Sequence, residues 1–409
     1  VSPRTERRVL RLGLEDQRAT PVLAVPVEVP PGAAGIEVRL VHDRDAATID
    51  LGLEGPDGWR GWSGGARDRF AVGADAATPG DMPGPLEPGT WQVQLGLYRL
   101  PLRPLEVTLE ITLPPRLEIP PDPLAPVAPQ RRRASARQLP APKGLTWFAG
   151  DFHAHSTHSD GELSLDQLAA LAASAGLDVL AVTEHNTVSH HPHLAAVGAR
   201  HDITLLPGQE ITTARGHANA FGDLPAIDFR RDPAHWRDEV AAGGGFLSLD
   251  HPLAEHTAWQ HTLDPLPPAL ELWHVTWFLD RTATGPWALL ARWATDPVLL
   301  GGSENHHDRH GYVPGTPTTW VAAAECTPAA LLEAASAGRT AITTLPTPDA
   351  PALVRCEDEL VAVGAEGTVL RDMDGRARVL RSARTVIPAT GRGPYRLESP
   401  AGELLAISP

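Results

Sequence analysis

Of the 18 histidines in this sequence, all but His42 fall between His153 and His310, a stretch to which an even spread would assign roughly seven. Solvated histidines have no reason to segregate in this way, whereas histidine as a metal ligand does. Their positions repeat a pattern, because most candidate ligands stand where a short apolar run ends. The first run ends in Asp151-Phe152-His153-Ala154-His155, followed by Ser159-Asp160-Gly161. Later runs end in Thr183-Glu184-His185-Asn186, in Gly208-Gln209-Glu210 with Gly216-His217 close behind, in Asp250-His251-Pro252, and in Ser303-Glu304-Asn305-His306. In extended chain, residues two apart project to the same side, so His153 and His155 can grip one ion together.

The candidate ligands are therefore His153, His155, Asp160, His185, Glu210, His217, His251, Glu304 and His306. Nitrogen and oxygen donors without sulfur suit Zn, Mn or Fe, and the number of ligands suits two or three divalent ions. Metal-activated water is the chemistry such a cluster offers, and a leaving group would need a separate proton donor. His217 or His251 is expected to serve, with His158 as an auxiliary. Asn186, Arg215 and His274 are expected to touch substrate, with Arg215 as the cation facing a phosphate.

Other residues invite the same reading and receive a plainer one. His190, His191 and His193 have metal-like spacing but sit in a turn with Pro192 among them, so they read as loop, as do His256, His261, His307 and His310. Trp273, Trp277 and Phe278 could form an apolar substrate pocket, although an aromatic stripe is more often core. Trp59 and Trp62, in a glycine-rich loop far upstream, could cover the site or simply pack between domains.

The elements that must hold these residues follow from periodicity. Leu105, Val107, Leu109, Ile111 and Leu113 alternate with polar residues, and similar segments precede them, so residues 1–115 read as an antiparallel β-sandwich. Residues 116–146 are proline-rich and read as a surface linker in which Arg131, Arg132, Arg133 and Arg137 are solvated. From residue 147 to 347, short apolar runs alternate with helices: Val179–Thr183, Thr204–Leu206, Phe246–Leu249, Leu270–Val275 and Val298–Leu300 read as strands of a mostly parallel α/β sheet. Ser164 with Gln167 forms a capping box for one helix, and Thr327 with Pro328 opens another. Residues 348–409 return to β-like alternation.

Composition removes several alternatives. The net charge of −15 disfavours polymeric nucleic acid as a partner, and Cys326 with Cys356 cannot build a disulfide framework or a cysteine zinc site. Every cation but Lys143 is arginine, and Lys143 lies in the linker, so a P-loop lysine, a Schiff-base lysine and a bridging lysine carbamate are all excluded. No apolar run is long enough to cross a membrane, and the expectation is a cytoplasmic protein acting on a small molecule.

The strings Gly-Asp-Phe-His-Ala-His-Ser-Thr-His-Ser-Asp-Gly, Val-Thr-Glu-His-Asn-Thr and Gly-Gly-Ser-Glu-Asn-His resemble successive motifs of the polymerase-and-histidinol-phosphatase (PHP) domain. More narrowly the chain resembles the CehA/McbA-type metallohydrolases, through these motifs and through Arg60–Arg67, Thr78–Pro85 and Gly89-Thr90-Trp91. The resemblance implies an α/β fold, a distorted (β/α)7 barrel, with the nine candidates as its ligand set. It implies a phosphoesterase acting on small phosphomono- or diesters or, from the narrower branch, a carbamate, ester or amide hydrolase. A metal-stabilised binding module is the non-enzymatic alternative, and ligands in excess of the four of a closed structural site argue against it. Two positions depart from the family pattern, which has aspartate at 184 and 304. The added methylene moves each carboxylate by about 1.5 Å, so the metal at Glu304 is expected to be held differently.

Overall fold

The computed structural model describes all residues except 1–2, 128–131, 263–265, 280–284, 294–295 and 308–310, together with the side chains of His256, Phe278 and Leu279. His310 and Arg131, and the side chains of His256 and Phe278, thus lie outside the described residues.

Alternating hydrophobicity upstream resolves into β1 (Arg4–Leu12), the short α1 (Leu14–Ala19), β2 (Val22–Val29), β3 (Gly35–Val41), β4 (Thr48–Gly55), β5 (Gly58–Trp62), β6 (Arg69–Gly73), β7 (Gly89–Arg99) and β8 (Leu105–Leu113). One sheet has the order β1-β8-β3-β6 and the other β2-β7-β4-β5, with antiparallel neighbours throughout. Val38, Leu40, Leu109 and Ile111 of the first sheet share one buried cluster with Leu51, Leu53, Val93 and Leu95 of the second. Each such side chain stabilises the folded chain by roughly 1.5–3 kcal/mol relative to exposure.

The histidine-rich region contains β9 (Thr146–Asp151), α2 (Leu165–Ser174), β10 (Val179–His185), α3 (Leu194–His201), β11 (Thr204–Thr213), β12 (Gly216–Phe221), α4 (Pro233–Ala242), β13 (Phe246–Leu249), β14 (Ala269–His274), α5 (Thr276–Leu279), α6 (Gly285–Leu290), β15 (Val298–Gly302), β16 (Thr318–Ala323), α7 (Pro328–Ser336) and β17 (Thr340–Thr343). Helix α2 starts as its sequence dictates: the Ser164 hydroxyl accepts from the Gln167 amide at 3.2 Å, and the Gln167 side chain accepts from the Ser164 amide at 2.9 Å. Thr327 caps α7 ahead of Pro328.

The remaining strands are β18 (Ala352–Cys356), β19 (Glu359–Val363), β20 (Val369–Arg371), β21 (Ala377–Val379), β22 (Arg384–Pro388), β23 (Tyr395–Glu398) and β24 (Leu404–Ser408). Strand β24 pairs with β17, so β24, β23, β20 and β21 extend the central sheet, which runs β15-β14-β13-β12-β11-β10-β9-β16-β17-β24-β23-β20-β21, while β18, β19 and β22 form a separate antiparallel sheet.

This sheet is mixed, not mostly parallel. The β9/β10, β10/β11, β13/β14 and β14/β15 pairs are parallel, and the other neighbours are antiparallel. Connection length explains the difference at β11 and β12: Thr213 pairs with Gly216 across two intervening residues, whereas a parallel return needs a dozen or more. Hydroxyls then draw β15 towards the other side of the sheet. Thr319 bonds both the amide and the carbonyl of Gly301 at 2.8 Å, and Thr340 donates to the Leu299 carbonyl at 2.9 Å. The sheet therefore curls, and the ends of β9, β10, β11, β13, β14 and β15 face a common space.

The proline-rich segment is more firmly fixed than a solvated linker. Arg133 donates to the carbonyls of Ala173 and Leu177 after α2 and to those of His201 and Asp202 after α3. A cation at two helix C-termini is favourable, because the carbonyls there lack intrahelical partners. No helix among the described residues is long and apolar enough to cross a membrane.

Candidate metal centre

Alternation places the first two ligands. Past β9 the chain stays extended, so His153 and His155 point the same way, with ring centroids 5.1 Å apart. The loop is held by Asp151, which accepts from the amides of His153 at 3.1 Å, Ser303 at 3.0 Å and Gly315 at 2.7 Å. The His155 amide donates to the Asn305 carbonyl, which stitches the loop after β9 to the loop after β15. Parallel register then sets His185 of β10 opposite Glu210 of β11, and the β11–β12 hairpin returns His217 to the same carboxylate.

Glu210 is fully buried and sits at the centre. Its oxygens lie 2.6 Å from His217 Nδ1, 2.8 Å from His185 Nδ1, 3.3 Å from His251 Nε2, 3.4 Å from His155 Nε2 and 3.5 Å from His153 Nε2. On one flank Asp160 Oδ1 stands 3.3 Å from His185 Nε2 and 3.1 Å from His306 Nε2; on the other, Glu304 stands 3.7 Å from His251. All nine candidate ligands thus enter overlapping groups whose donor atoms lie within 4.8 Å of one another. Whether these residues fit divalent cations can be judged from their donor atoms. Nε2 of His153, His155 and His217, Oε2 of Glu210 and Oδ1 of Asp160 are buried and have no hydrogen-bond partner, a costly arrangement that ions would relieve. His251 and Glu304 also hold positive φ angles of 23° and 47°, strained backbone of the kind that clusters at functional sites.

Electrostatics in the metal-free protein follow from this crowding. Burial works against a charge on His153, yet Glu271 and Glu210 raise it well above the usual imidazole range; His185 is raised likewise, against burial, by Glu210 and Asp160. Burial and the neighbouring His306 and His185 hold His155 well below that range. Burial also opposes ionisation of Glu210, but the surrounding imidazoles keep its carboxyl well below the usual range. The cluster thus alternates charge, with protons where cations would sit.

Two residues of the centre were not anticipated. Glu271 accepts from His153 Nδ1 at 3.2 Å and from the His251 amide at 2.9 Å, which orients both rings. Its signal was an acid among the apolar residues Ala269, Leu270, Leu272 and Trp273 of β14, every residue of which is buried. Thr212 similarly holds His185 Nδ1, at 2.5 Å. Residues that orient ligands from behind typically contribute 10–100-fold in metal affinity, so Glu271→Gln is expected to weaken zinc binding by roughly that factor. Competition with a chromophoric chelator measures it, and unchanged affinity would remove Glu271 from the centre.

Other expected site residues are placed differently. Asn186 pairs both ends of its amide with Thr212, donating to its carbonyl at 3.0 Å and accepting from its amide at 2.9 Å, which ties the end of β10 to β11. His158 lies outside the ligand groups, with Nδ1 2.8 Å from the Ser189 hydroxyl and Nε2 facing Asp122 at 3.7 Å. Arg215 is exposed on the hairpin and donates to the Gln260 carbonyl at 3.0 Å instead of pointing into the cluster. His274 stands 2.5 Å from Glu304 and groups with His153 and Glu271 as a further possible ligand. His190 and His191 turn to the carbonyls of Val182 and Gly208, in keeping with a loop role. His261, read as exposed, is half-buried against Trp236 and Trp259. Trp273 is core.

The longer Glu184 side chain has a visible use. Fully buried, it accepts from the Ser156 amide at 2.9 Å and hydroxyl at 2.5 Å and from the Ser159 hydroxyl, fixing the loop that carries Asp160.

Residues 151–264 match the family profile of the PHP domain. Among solved structures, the chain is similar to a two-domain Bacteroides vulgatus protein containing a predicted PHP-like metal-dependent phosphoesterase, at 21% identity and a TM-score of 0.41, covering 69% of this chain and 100% of that one. It is also similar to a Bifidobacterium adolescentis protein provisionally assigned as a metal-dependent phosphoesterase (18%, TM-score 0.32, 39% and 87% covered) and to a Chromobacterium violaceum amidohydrolase with bound sulfate and no metal (16%, 0.30, 38% and 87%). No curated protein matches the chain.

Proposed function

We propose that this chain is a metal-dependent hydrolase of small phosphomono- or diesters. The observation that carries the reading is the convergence of unpartnered imidazole and carboxylate atoms on the buried Glu210. His153, His155 and Glu210 would hold one ion, Glu210, His217 and His251 a second, and Asp160, His185 and His306 a third, with Glu304 reaching in beside His153 and His251. Bound cations would supply an activated water at neutral pH and neutralise charge on the substrate oxygens. The protein orients the ligands through Glu271, Thr212 and Asp151, and it leaves Asp160, His306 and Glu304 partly open at the mouth. There a cavity of about 220 Å³ is walled by Thr276, Glu304, His306 and Tyr312. The curled sheet fits a distorted (β/α)7 barrel beside an N-terminal β-sandwich, and the narrower likeness is to the CehA/McbA-type enzymes.

Carbamate, ester or amide hydrolysis is the second reading, favoured by the apolar space available to an organic group. Trp277 does not supply it, because the hollow it lines with His251 and His274 measures only about 20 Å³.

The test compares zinc- and manganese-reconstituted protein on bis(4-nitrophenyl) phosphate, 4-nitrophenyl phosphate and 1-naphthyl methylcarbamate. Phosphoester turnover that disappears in His153→Ala is expected. Carbamate turnover alone would establish the second reading, and silence on every substrate would point to a binding module.

A further inference from the structure

The N-terminal sheets are joined to the loops that carry the ligands. Trp59 donates its indole N–H to the Asn186 carbonyl at 3.0 Å, next to His185. Thr187 donates to the Gly80 carbonyl at 2.6 Å, the Gly80 amide donates to Ser189 at 3.1 Å, and Arg67 reaches the Thr157 carbonyl. The N-terminal sheets and the β11–β12 hairpin also border a cleft of about 400 Å³, within the usual size of small-molecule sites. It is lined by Asp50, Trp62, Tyr98, Phe229 and the Thr212–Arg215 hairpin, with Arg18, Arg230 and Arg231 also reaching it. Thr212 belongs both to this cleft and to the centre, since it lines the cleft and bonds His185.

We propose that this cleft receives the organic substituent of the substrate, and that the substituent is an aromatic or similarly bulky apolar alcohol. The inference rests on the hydrolase reading and names the substrate class of the same site. Apolar surface predominates in its lining, supplied by Val22, Trp62, Leu97 and Phe229 beside the arginines, and its aromatic residues are packed on one another. Trp62 stacks on Trp59 at 5.6 Å and meets Phe229 edge-on at 4.8 Å. Gly96 makes room for that indole, because a Cβ there would stand 2.6 Å from the ring. Thr212, which lines the cleft and holds the His185 ring, sets this side of the cleft against the cluster. A scissile group over the metals would then lie between this cleft and the smaller cavity at Glu304 and His306. That two-sided layout accommodates a substituent on either side of the reacting atom.

The test uses the zinc-loaded full chain and reads tryptophan fluorescence during titration with 4-nitrophenol, which needs no turnover. Ala214→Trp fills the mouth of the cleft from an exposed hairpin position, and Tyr98→Ala removes part of its wall; near-ultraviolet circular dichroism and zinc content verify that each variant is folded. Each is expected to weaken 4-nitrophenol binding by about tenfold or more, and to lower selectivity for 4-nitrophenyl over ethyl phosphate by a similar factor. Absence of 4-nitrophenol binding in the parent protein, or affinities within about twofold in both variants, would overturn the proposal. Binding that responds to the variants in a protein without hydrolytic activity would preserve the pocket and defeat the hydrolase reading instead.

Discussion

Replacing Glu210 with glutamine is expected to abolish hydrolysis, by on the order of a thousandfold or more, beyond the 10–100-fold typical of residues behind the ligands. The amide keeps the size of the side chain and removes its charge, so the loss can be assigned to electrostatics and coordination. Five imidazoles surround this one carboxylate within 3.5 Å, and it belongs to two of the overlapping ligand groups. Among the described residues no other acid shares that position: Asp160 serves only the group with His155, His185 and His306, and Glu304 only the group with His153 and His251. Asp160→Asn should therefore lower the metal content by the equivalent of one ion, whereas Glu210→Gln should disturb more than one. Elemental analysis after gel filtration, combined with the rate at saturating substrate, measures both. A glutamine variant that keeps the parent's metal content and an activity within tenfold would refute the central role of Glu210.

What the sequence disclosed about this centre depends on range. Capping of α2 by Ser164 and Gln167 involves neighbours three residues apart and was legible, as were the apolar runs of β10, β13, β14 and β15. The candidate ligands could be read because strand ends in an α/β sheet share one face. Partners fixed by tertiary packing were not legible in the same way. Nothing near Asn186 in sequence announces that both ends of its amide are taken by Thr212, and nothing near Arg133 announces four carbonyls from two helices. Glu271 could have been found, since a lone acid among the buried apolar residues of β14 must be paired or must bind a cation. Strand direction was missed where a two-residue hairpin replaced a crossover, and the mixed sheet follows from it.

Glu304 shows how a departure from a family pattern can be read physically. Its longer arm reaches 2.5 Å from His274 while remaining 3.7 Å from His251. Burial disfavours its charge, but His251 and His274 hold the carboxyl well below the usual range, so it enters the centre ionised. Glu304 thus adds a second tie between this region and β14, through His274, a residue expected from sequence only to meet substrate.

Removing metal should make stability depend on pH in a direction that these contacts fix. Burial opposes a charge on His306, but Asp160 pushes it up to about 9 from an ordinary value of 6.5. The stabilisation contributed by its proton in the metal-free protein is fully present below 6.5 and is lost as pH rises through about 9. His153 and His185 are raised as well, so protons on these rings must leave before a cation can bind. Zinc affinity is therefore expected to climb with pH across this interval, by up to about tenfold per pH unit for each proton displaced. The melting temperature of chelator-treated protein should fall over the same range while that of zinc-saturated protein holds. At a hundredfold excess of free zinc over its dissociation constant, the added stability is roughly 2.7 kcal/mol, enough for a shift of several degrees. Calorimetric titration in two buffers of different ionisation enthalpy would count the released protons directly. Zinc binding with no proton release at pH 7, or a melting gap that narrows between pH 6.5 and 9, would show that the imidazoles around Glu210 and Asp160 are not the groups that zinc displaces protons from.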